Sequence, residues 1–153
     1  MSVTDWDKRF LEMAYHIAEW SKDPSSKVGC VVVGADKRDV CFGYNGFPPG
    51  IADDDRLADR DTKYKLVRHA ETNALSVARG RFRPETLYVT HPPCMKCTVE
   101  IVGERVKRVV SGVPSEAFAL RWRSEMEDSE KMLSEAGITL EFLSLAELEP
   151  ALA

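Results

Sequence analysis

The sequence predicts an α/β fold: a five-stranded mixed sheet with helices on both faces. Three observations predict it. A β-branched run, Val28 to Val33, is followed by a polar turn and Val40 to Tyr44, which is the pattern of an antiparallel pair. Helical and strand-like segments then alternate through the rest of the chain. The first segment also has a stripe of apolar residues at helical spacing.

That stripe is Trp6, Phe10, Met13 with Ala14, and Ile17, so a helix is expected from Asp5 to about Trp20 with Thr4 as its N-cap. Ser21 to Lys27 holds Pro24 and three serines and reads as a loop. Asn45 to Lys63 is polar, rich in Gly, Pro and Asp, and shows no clear period. It is expected to be a long surface loop. A helix is expected from near Arg68 to Ala78, a strand at Thr86 to Thr90, a short helix at Cys94 to Gly103 and a strand at Val106 to Ser111. Phe118, Trp122, Met126, Ser129, Leu133 and Ala136 predict one long amphipathic helix ending at Gly137, with a last strand at Ile138 to Phe142. The tail beyond Leu143 is acidic and carries no clear pattern.

Composition narrows the function classes. The 153 residues suit one domain spanning 1–153, large enough to bury its own core, and no apolar run approaches the roughly 20 residues that cross a bilayer. Met1 to Asp7 is acidic and lacks the order of a secretory signal, so a cytoplasmic location is expected. A formal net charge of −4 gives no footprint for a nucleic-acid polymer and favours a small substrate. Four cysteines are too few for a disulfide scaffold, so the close pair Cys94 and Cys97 reads as metal ligands. Cys30 and Cys41 read as buried thiols.

Two segments carry the chemistry: His69-Ala70-Glu71 and Pro93-Cys94-Met95-Lys96-Cys97. Each opens an expected helix. Cysteines three apart share a helix face, so both thiolates can meet one ion with His69 as third ligand. First-turn side chains lean towards the N-terminus, so His69 and Glu71 can converge beyond the helix end. The two helix N-termini would set partial positive charge against the thiolates. Three protein ligands leave a fourth tetrahedral position for water, as in catalytic zinc sites, and Glu71 is then the natural proton carrier. Spacing alone leaves a second reading open, a structural zinc knuckle closed by Cys41, His16 or His91.

H-x-E followed by P-C-x-x-C is the signature of the zinc-dependent nucleobase deaminases. To about Phe142 the chain resembles the deoxycytidylate (dCMP) deaminases. Further matches are Ser21-Lys22-Asp23-Pro24, Val28-Gly29, Gly43-Tyr44-Asn45-Gly46 with Phe47-Pro48, Thr62-Lys63-Tyr64 and Leu87-Tyr88-Val89-Thr90. The resemblance implies a three-layer α/β/α cytidine-deaminase-like fold and hydrolysis of dCMP to dUMP with release of ammonia. It places zinc on His69, Cys94 and Cys97, with activated water attacking C4 and Glu71 moving protons. It puts the backbone at Ala70 against the pyrimidine edge and Asn45 against the sugar. Lys22 and Ser25, in the loop before the first strand, are the candidates for the phosphate, with a plain solvated turn as the other reading. A related substrate, namely a modified dCMP, dCTP, cytosine, cytidine or adenosine in transfer RNA, is the alternative within the family. A zinc-stabilised binding module without catalysis is the alternative outside it. Kinship also implies a homo-oligomer, from dimer to hexamer, and dCTP or dTTP as effectors with Mg2+.

The chain departs from the family twice. Relatives carry a base-covering aromatic in a D-K-Y-H-D-like stretch, where this chain reads Gly112-Val113-Pro114-Ser115-Glu116-Ala117-Phe118. Phe118 or Trp122 stands in for it or, as their rhythm favours, belongs to the core stripe of the last helix. Some relatives hold a second zinc in the long insertion, but no Cys or His lies between Cys41 and His69, so one zinc per subunit is expected. The run Asp53-Asp54-Asp55 lies in a region similar to the nucleotide-effector site of regulated relatives, though a solvated loop is the favoured reading, and His91 reads as a residue of the pocket mouth or a plain loop.

Overall fold

The computed structural model describes residues 3–152. Met1, Ser2 and Ala153, the ends of the domain expected over 1–153, lie outside the described residues. Helix α1 is Asp5–Ala18, opened by a reciprocal cap in which Thr4 and Asp7 each accept the other's backbone N–H. Strands β1 (Gly29–Val33) and β2 (Val40–Tyr44) pair antiparallel. Beyond them come α2 (Arg60–Leu66), α3 (Ala70–Ala78), β3 (Thr86–Val89), α4 (Met95–Gly103) and β4 (Arg108–Gly112). The chain closes with α5 (Glu116–Arg121), α6 (Arg123–Glu135), β5 (Thr139–Leu143) and α7 (Leu145–Leu152).

The sheet order is β2-β1-β3-β4-β5, with β1 antiparallel to both neighbours and β3, β4 and β5 parallel. This is the expected five-stranded mixed sheet between two helical layers. Strand β1 is buried along its whole length, which is why it reads as a continuous β-branched run rather than an alternating one. Its side chains still divide by parity. Cys30 and Val32 enter a core with Ala74, Leu75, Ile101 and Leu133 from α3, α4 and α6. Val31 and Val33 enter the opposite core with Leu11, Ala14 and Ile17 of α1 and Leu148 of α7. No helix among the described residues is long and apolar enough to cross a membrane.

Two expectations are corrected, and the tail beyond Leu143 gains a structure. Asn45 to Lys63 is not a bare loop: it holds a short 3-10 turn at Asp55–Leu57 and the start of α2. Helix α2 buries none of its residues, so it leaves no apolar period to read. The expected single helix ending at Gly137 is two helices, α5 and α6, broken at Trp122 (φ −112°, ψ 16°). The stripe serves two surfaces: Ser129 and Leu133 are buried against the core, whereas Phe118, Trp122 and Met126 line a cavity. Gly137 does end α6 with φ 75°, the left-handed cap that glycine adopts without strain. Finally, the acidic tail forms α7, anchored by buried Leu148 against α1.

Candidate metal centre and catalytic pocket

The site forms where the start of β1, the end of β2 and the end of β3 meet. Gly29 pairs with Tyr44, and Thr90 donates its N–H to the Gly29 carbonyl. Helix α3 lies directly on β2 there, with Asn73 Nδ2 donating to the Tyr44 carbonyl at 2.8 Å. His69 is the N-cap residue of α3 and Cys94 that of α4. The expected helix starts at Arg68 and Cys94 thus shift inwards, and the ligand-type residues sit on the caps themselves.

His69 Nδ1 lies 3.4 Å from Cys94 Sγ and 3.3 Å from Cys97 Sγ. The three ligand-type atoms lie within 4.8 Å of one another, and among the described residues no fourth His, Cys, Asp or Glu joins them. Corners of a tetrahedral zinc site with Zn–S near 2.3 Å and Zn–N near 2.05 Å lie about 3.6 Å apart, so this cluster fits the ion with little movement. The residues that would close a zinc knuckle are elsewhere. His16 is exposed on α1, Cys41 is buried on β2, and His91 Nδ1 is engaged with Thr90 Oγ1 at 3.1 Å.

Electrostatics follow the geometry. Hydrogen bonds from the Cys97 thiol and from His69 pull the Cys94 thiol down to about 4, against its burial. Cys97, bonded to that thiolate and buried, is pushed up. The bond to Cys94 raises His69. Glu71 is 4% exposed, with Oε2 3.6 Å from Cys97 Sγ, and burial pushes its carboxyl up to about 7. A buried carboxyl with that affinity holds or releases a proton near neutral pH.

These groups lie at one side of a cavity of about 780 Å³. Glu71, Ala70 and His69 line it beside Asn45, and His91, Phe118 and Trp122 line another part of its wall. The His91 and Phe118 rings lie 5.5 Å apart, and the Phe118 and Trp122 rings 6.3 Å apart. Ser25, Ser26, Arg60, Lys63 and Arg121 add a polar, cationic part.

Residues 4–113 match the cytidine and deoxycytidylate deaminase zinc-binding region. The chain belongs to the cytidine and deoxycytidylate deaminase family. It is 36% identical over 143 residues to a protein of Aliivibrio fischeri described as an uncharacterised deaminase, covering 94% of this chain and 97% of that one. It is 37% identical over 113 residues to the deoxycytidylate deaminase of Mus musculus, covering 69% of this chain and 64% of that protein's length. In fold it is similar to the dCMP deaminase of cyanophage S-TIM5, solved in complex with dCMP and dUMP, with a TM-score of 0.68 and 22% identity over 94% of this chain and all of that one.

Within this deaminase the expected site residues fare unequally. His69, Cys94 and Cys97 converge, and Glu71 and Ala70 face the same cavity. Ala70 is the first residue of α3, where a backbone N–H has no partner inside the helix, and His69 supplies no side-chain cap. Asn45 lines the cavity but braces the loop before β1. Its Nδ2 donates to the Ser26 carbonyl at 2.8 Å and to Asp23 Oδ2 at 3.4 Å, and its Oδ1 accepts from Val28 N–H at 2.8 Å.

Lys22 is not brought to the cavity. It lies between buried Ser21 and Asp23, and alternation turns it out to solvent. Ser25 does line the cavity, and its partner is Lys63, whose Nζ donates to Ser25 Oγ at 2.7 Å and to Asp23 at 3.3 Å. Asp23 stays ionised: burial opposes it, but N–H groups of Ser25 and Ser26, the Ser25 hydroxyl and Lys63 lower its carboxyl. The missed cation was present in the sequence as Thr62-Lys63-Tyr64, a stretch matched to relatives without a role. Phe118 and Trp122, favoured as core residues, are corrected to cavity-lining residues, because α5 buries no residue of its own.

Proposed function

We propose that this chain hydrolyses dCMP to dUMP and ammonia, acting over 1–153 as one catalytic domain. The observation that carries the reading is the cluster of His69, Cys94 and Cys97 beside buried Glu71, in a cavity that also presents Ser25 and Lys63. His69, Cys94 and Cys97 would hold zinc, which would lower the pKa of a water towards about 7 and so supply a nucleophile at neutral pH.

The chain's own groups do the rest. The free N–H of Ala70 donates to the pyrimidine edge and orients C4 towards the cluster. Glu71 takes one proton from the attacking water and passes it to N3 of the base. It then takes the second from the hydroxyl left at C4 and passes it to the departing amino nitrogen, so ammonia leaves and the water oxygen stays at C4 as a carbonyl. The second lone pair of Asn45 Oδ1 is left for a sugar hydroxyl. Lys63 and Ser25 take the phosphate, displacing Lys22 from that role. Homo-oligomeric assembly and dCTP and dTTP control with Mg2+ rest on family resemblance alone, and a cytoplasmic location on the N-terminal sequence.

Ammonia release across dCMP, deoxycytidine, cytosine, dCTP and 5-methyl-dCMP tests the substrate. dCMP is expected to give the highest kcat/KM; higher turnover of deoxycytidine or cytosine overturns the phosphate assignment. Glu71→Gln is expected to keep zinc and lose about 10²- to 10⁴-fold in kcat.

A further inference from the structure

Helix α6 grips the metal-binding loop from outside. The carboxylate Oε1 of Glu125 accepts the backbone N–H of Met95 at 3.0 Å. Met95 is the first residue of α4, so this N–H is one of the donors that a helix leaves unpaired at its start. It also sits between the two thiols, one residue after Cys94 and two before Cys97. One turn further along α6, Ser129 Oγ donates to Thr98 Oγ1, which in turn donates to the Cys94 carbonyl at 2.8 Å, and the Pro93 carbonyl lies 3.2 Å from Ser129 Oγ. Glu125 and Ser129 therefore touch residues 93, 95 and 98, on both sides of each cysteine. Within this turn the Cys97 N–H points at Cys94 Sγ, at 3.5 Å.

We propose that Glu125 is a positioning residue of the metal centre: by tying Met95 to α6 it fixes the distance and direction of the Cys94 and Cys97 sulfurs relative to His69. The same helix carries Trp122, Glu125 itself and Met126 in the cavity wall, so α6 sets the metal loop and that wall from one rigid element. Groups that orient metal ligands from behind typically change metal affinity or activity by about 10- to 100-fold when removed. Glu125 is not among the groups that could hold the ion and its bond goes to Met95, so its loss acts on ligand geometry.

This inference rests on the assignment of zinc to His69, Cys94 and Cys97, and one set of measurements separates the two. Zinc affinity is read by competition with a chromophoric chelator, ligand geometry by the absorption of the Co2+-substituted protein, and folding by the Tm of the metal-free form. Glu125→Ala is expected to weaken zinc binding about 10- to 100-fold and to shift the Co2+ bands. Glu125→Gln keeps an acceptor oxygen and is expected to restore most of both. Met95→Pro deletes the donor and keeps Glu125. Proline is tolerated at a first helical position, and Cys94 at φ −70° and ψ 170° already has the backbone that precedes proline. Met95→Pro should match Glu125→Ala, and the double variant should be no weaker than either. Unchanged zinc affinity and Co2+ bands in Glu125→Ala overturn the proposal, as do additive losses in the double variant. A wild-type protein that binds neither metal overturns the zinc assignment and this inference with it.

Discussion

Arg108 on β4 and Asp7 in the first turn of α1 form a two-point ion pair, Nη1 to Oδ1 at 2.6 Å and Nη2 to Oδ2 at 2.8 Å. Tyr88 donates its hydroxyl to the same carboxylate at 2.7 Å, and Glu141 closes the other edge of the guanidinium at 3.0 Å. The network ties α1 to three adjacent strands. Asp7 is 1% exposed and Arg108 8%, so each depends on the other for compensation.

This pair predicts acid sensitivity of the fold. Burial opposes ionisation of Asp7, yet bonds from Arg108, the Thr4 N–H and Tyr88 prevail and lower its carboxyl from an ordinary 3.8 to about 2. A depressed carboxyl stabilises the fold fully above its unfolded value, and that contribution fades as pH falls through the folded one. Roughly 2 kcal/mol of stability should therefore disappear between about pH 4 and pH 2. Urea unfolding across that range should show the slope, and Asp7→Asn should flatten it while costing about 3–5 kcal/mol at pH 7.

Gly43 predicts how tightly α3 depends on the sheet. A Cβ built there would meet the Ala74 nitrogen at 2.6 Å, the Ala70 carbonyl at 2.7 Å and Asn73 Cβ at 2.8 Å. Two of these are backbone atoms of the helix that carries Glu71, so a methyl group has to push α3 away. Gly43→Ala is expected to cost about 1–3 kcal/mol or more, by urea unfolding, and to weaken zinc binding because His69 moves with the helix.

What was legible in the sequence and what was not divides on physical lines. The β-branched run Val28 to Val33 was readable because it is buried on both faces, and the stripe of α1 because it buries one periodic set of side chains. His69, Glu71, Cys94 and Cys97 were readable because metal chemistry restricts residue type and spacing. Helix α2 left no trace, since it packs no residue in the core. Phe118 and Trp122 misled because a cavity wall and a core both demand aromatic side chains at helical spacing. No proline or glycine marks the break between α5 and α6. The partnership of Lys63 with Ser25 spans 38 residues, and local pattern carries no information at that range.

Lys63 and Lys22 make opposite predictions for substrate affinity. Lys63 is held at the cavity by Ser25 and Asp23, whereas Lys22 is turned out to solvent. A charge-assisted bond to an anion contributes about 1.5–3 kcal/mol, so Lys63→Ala should raise KM for dCMP roughly 10- to 100-fold. Its effect on deoxycytidine, which has no phosphate, should be small. Lys22→Ala should leave both within about twofold, and steady-state kinetics on the two substrates decide the assignment.

Phe118 and Leu133 occupy the same helical stripe but different surroundings, and truncating each should separate binding from folding. Leu133 is 1% exposed in the core shared by α3, α4 and α6, so Leu133→Ala should cost about 2–5 kcal/mol of stability. Phe118 stands in the cavity wall beside His91, on a helix that buries none of its residues. A base stacked on that ring would lose about 1–3 kcal/mol with it. Phe118→Ala should thus lower kcat/KM for dCMP roughly 5- to 100-fold while Tm falls by far less than in Leu133→Ala. Phe118→Leu, apolar but without a π face, should recover little of that activity. A large Tm loss with kcat/KM unchanged would return Phe118 to the core and leave base stacking to Trp122 or His91.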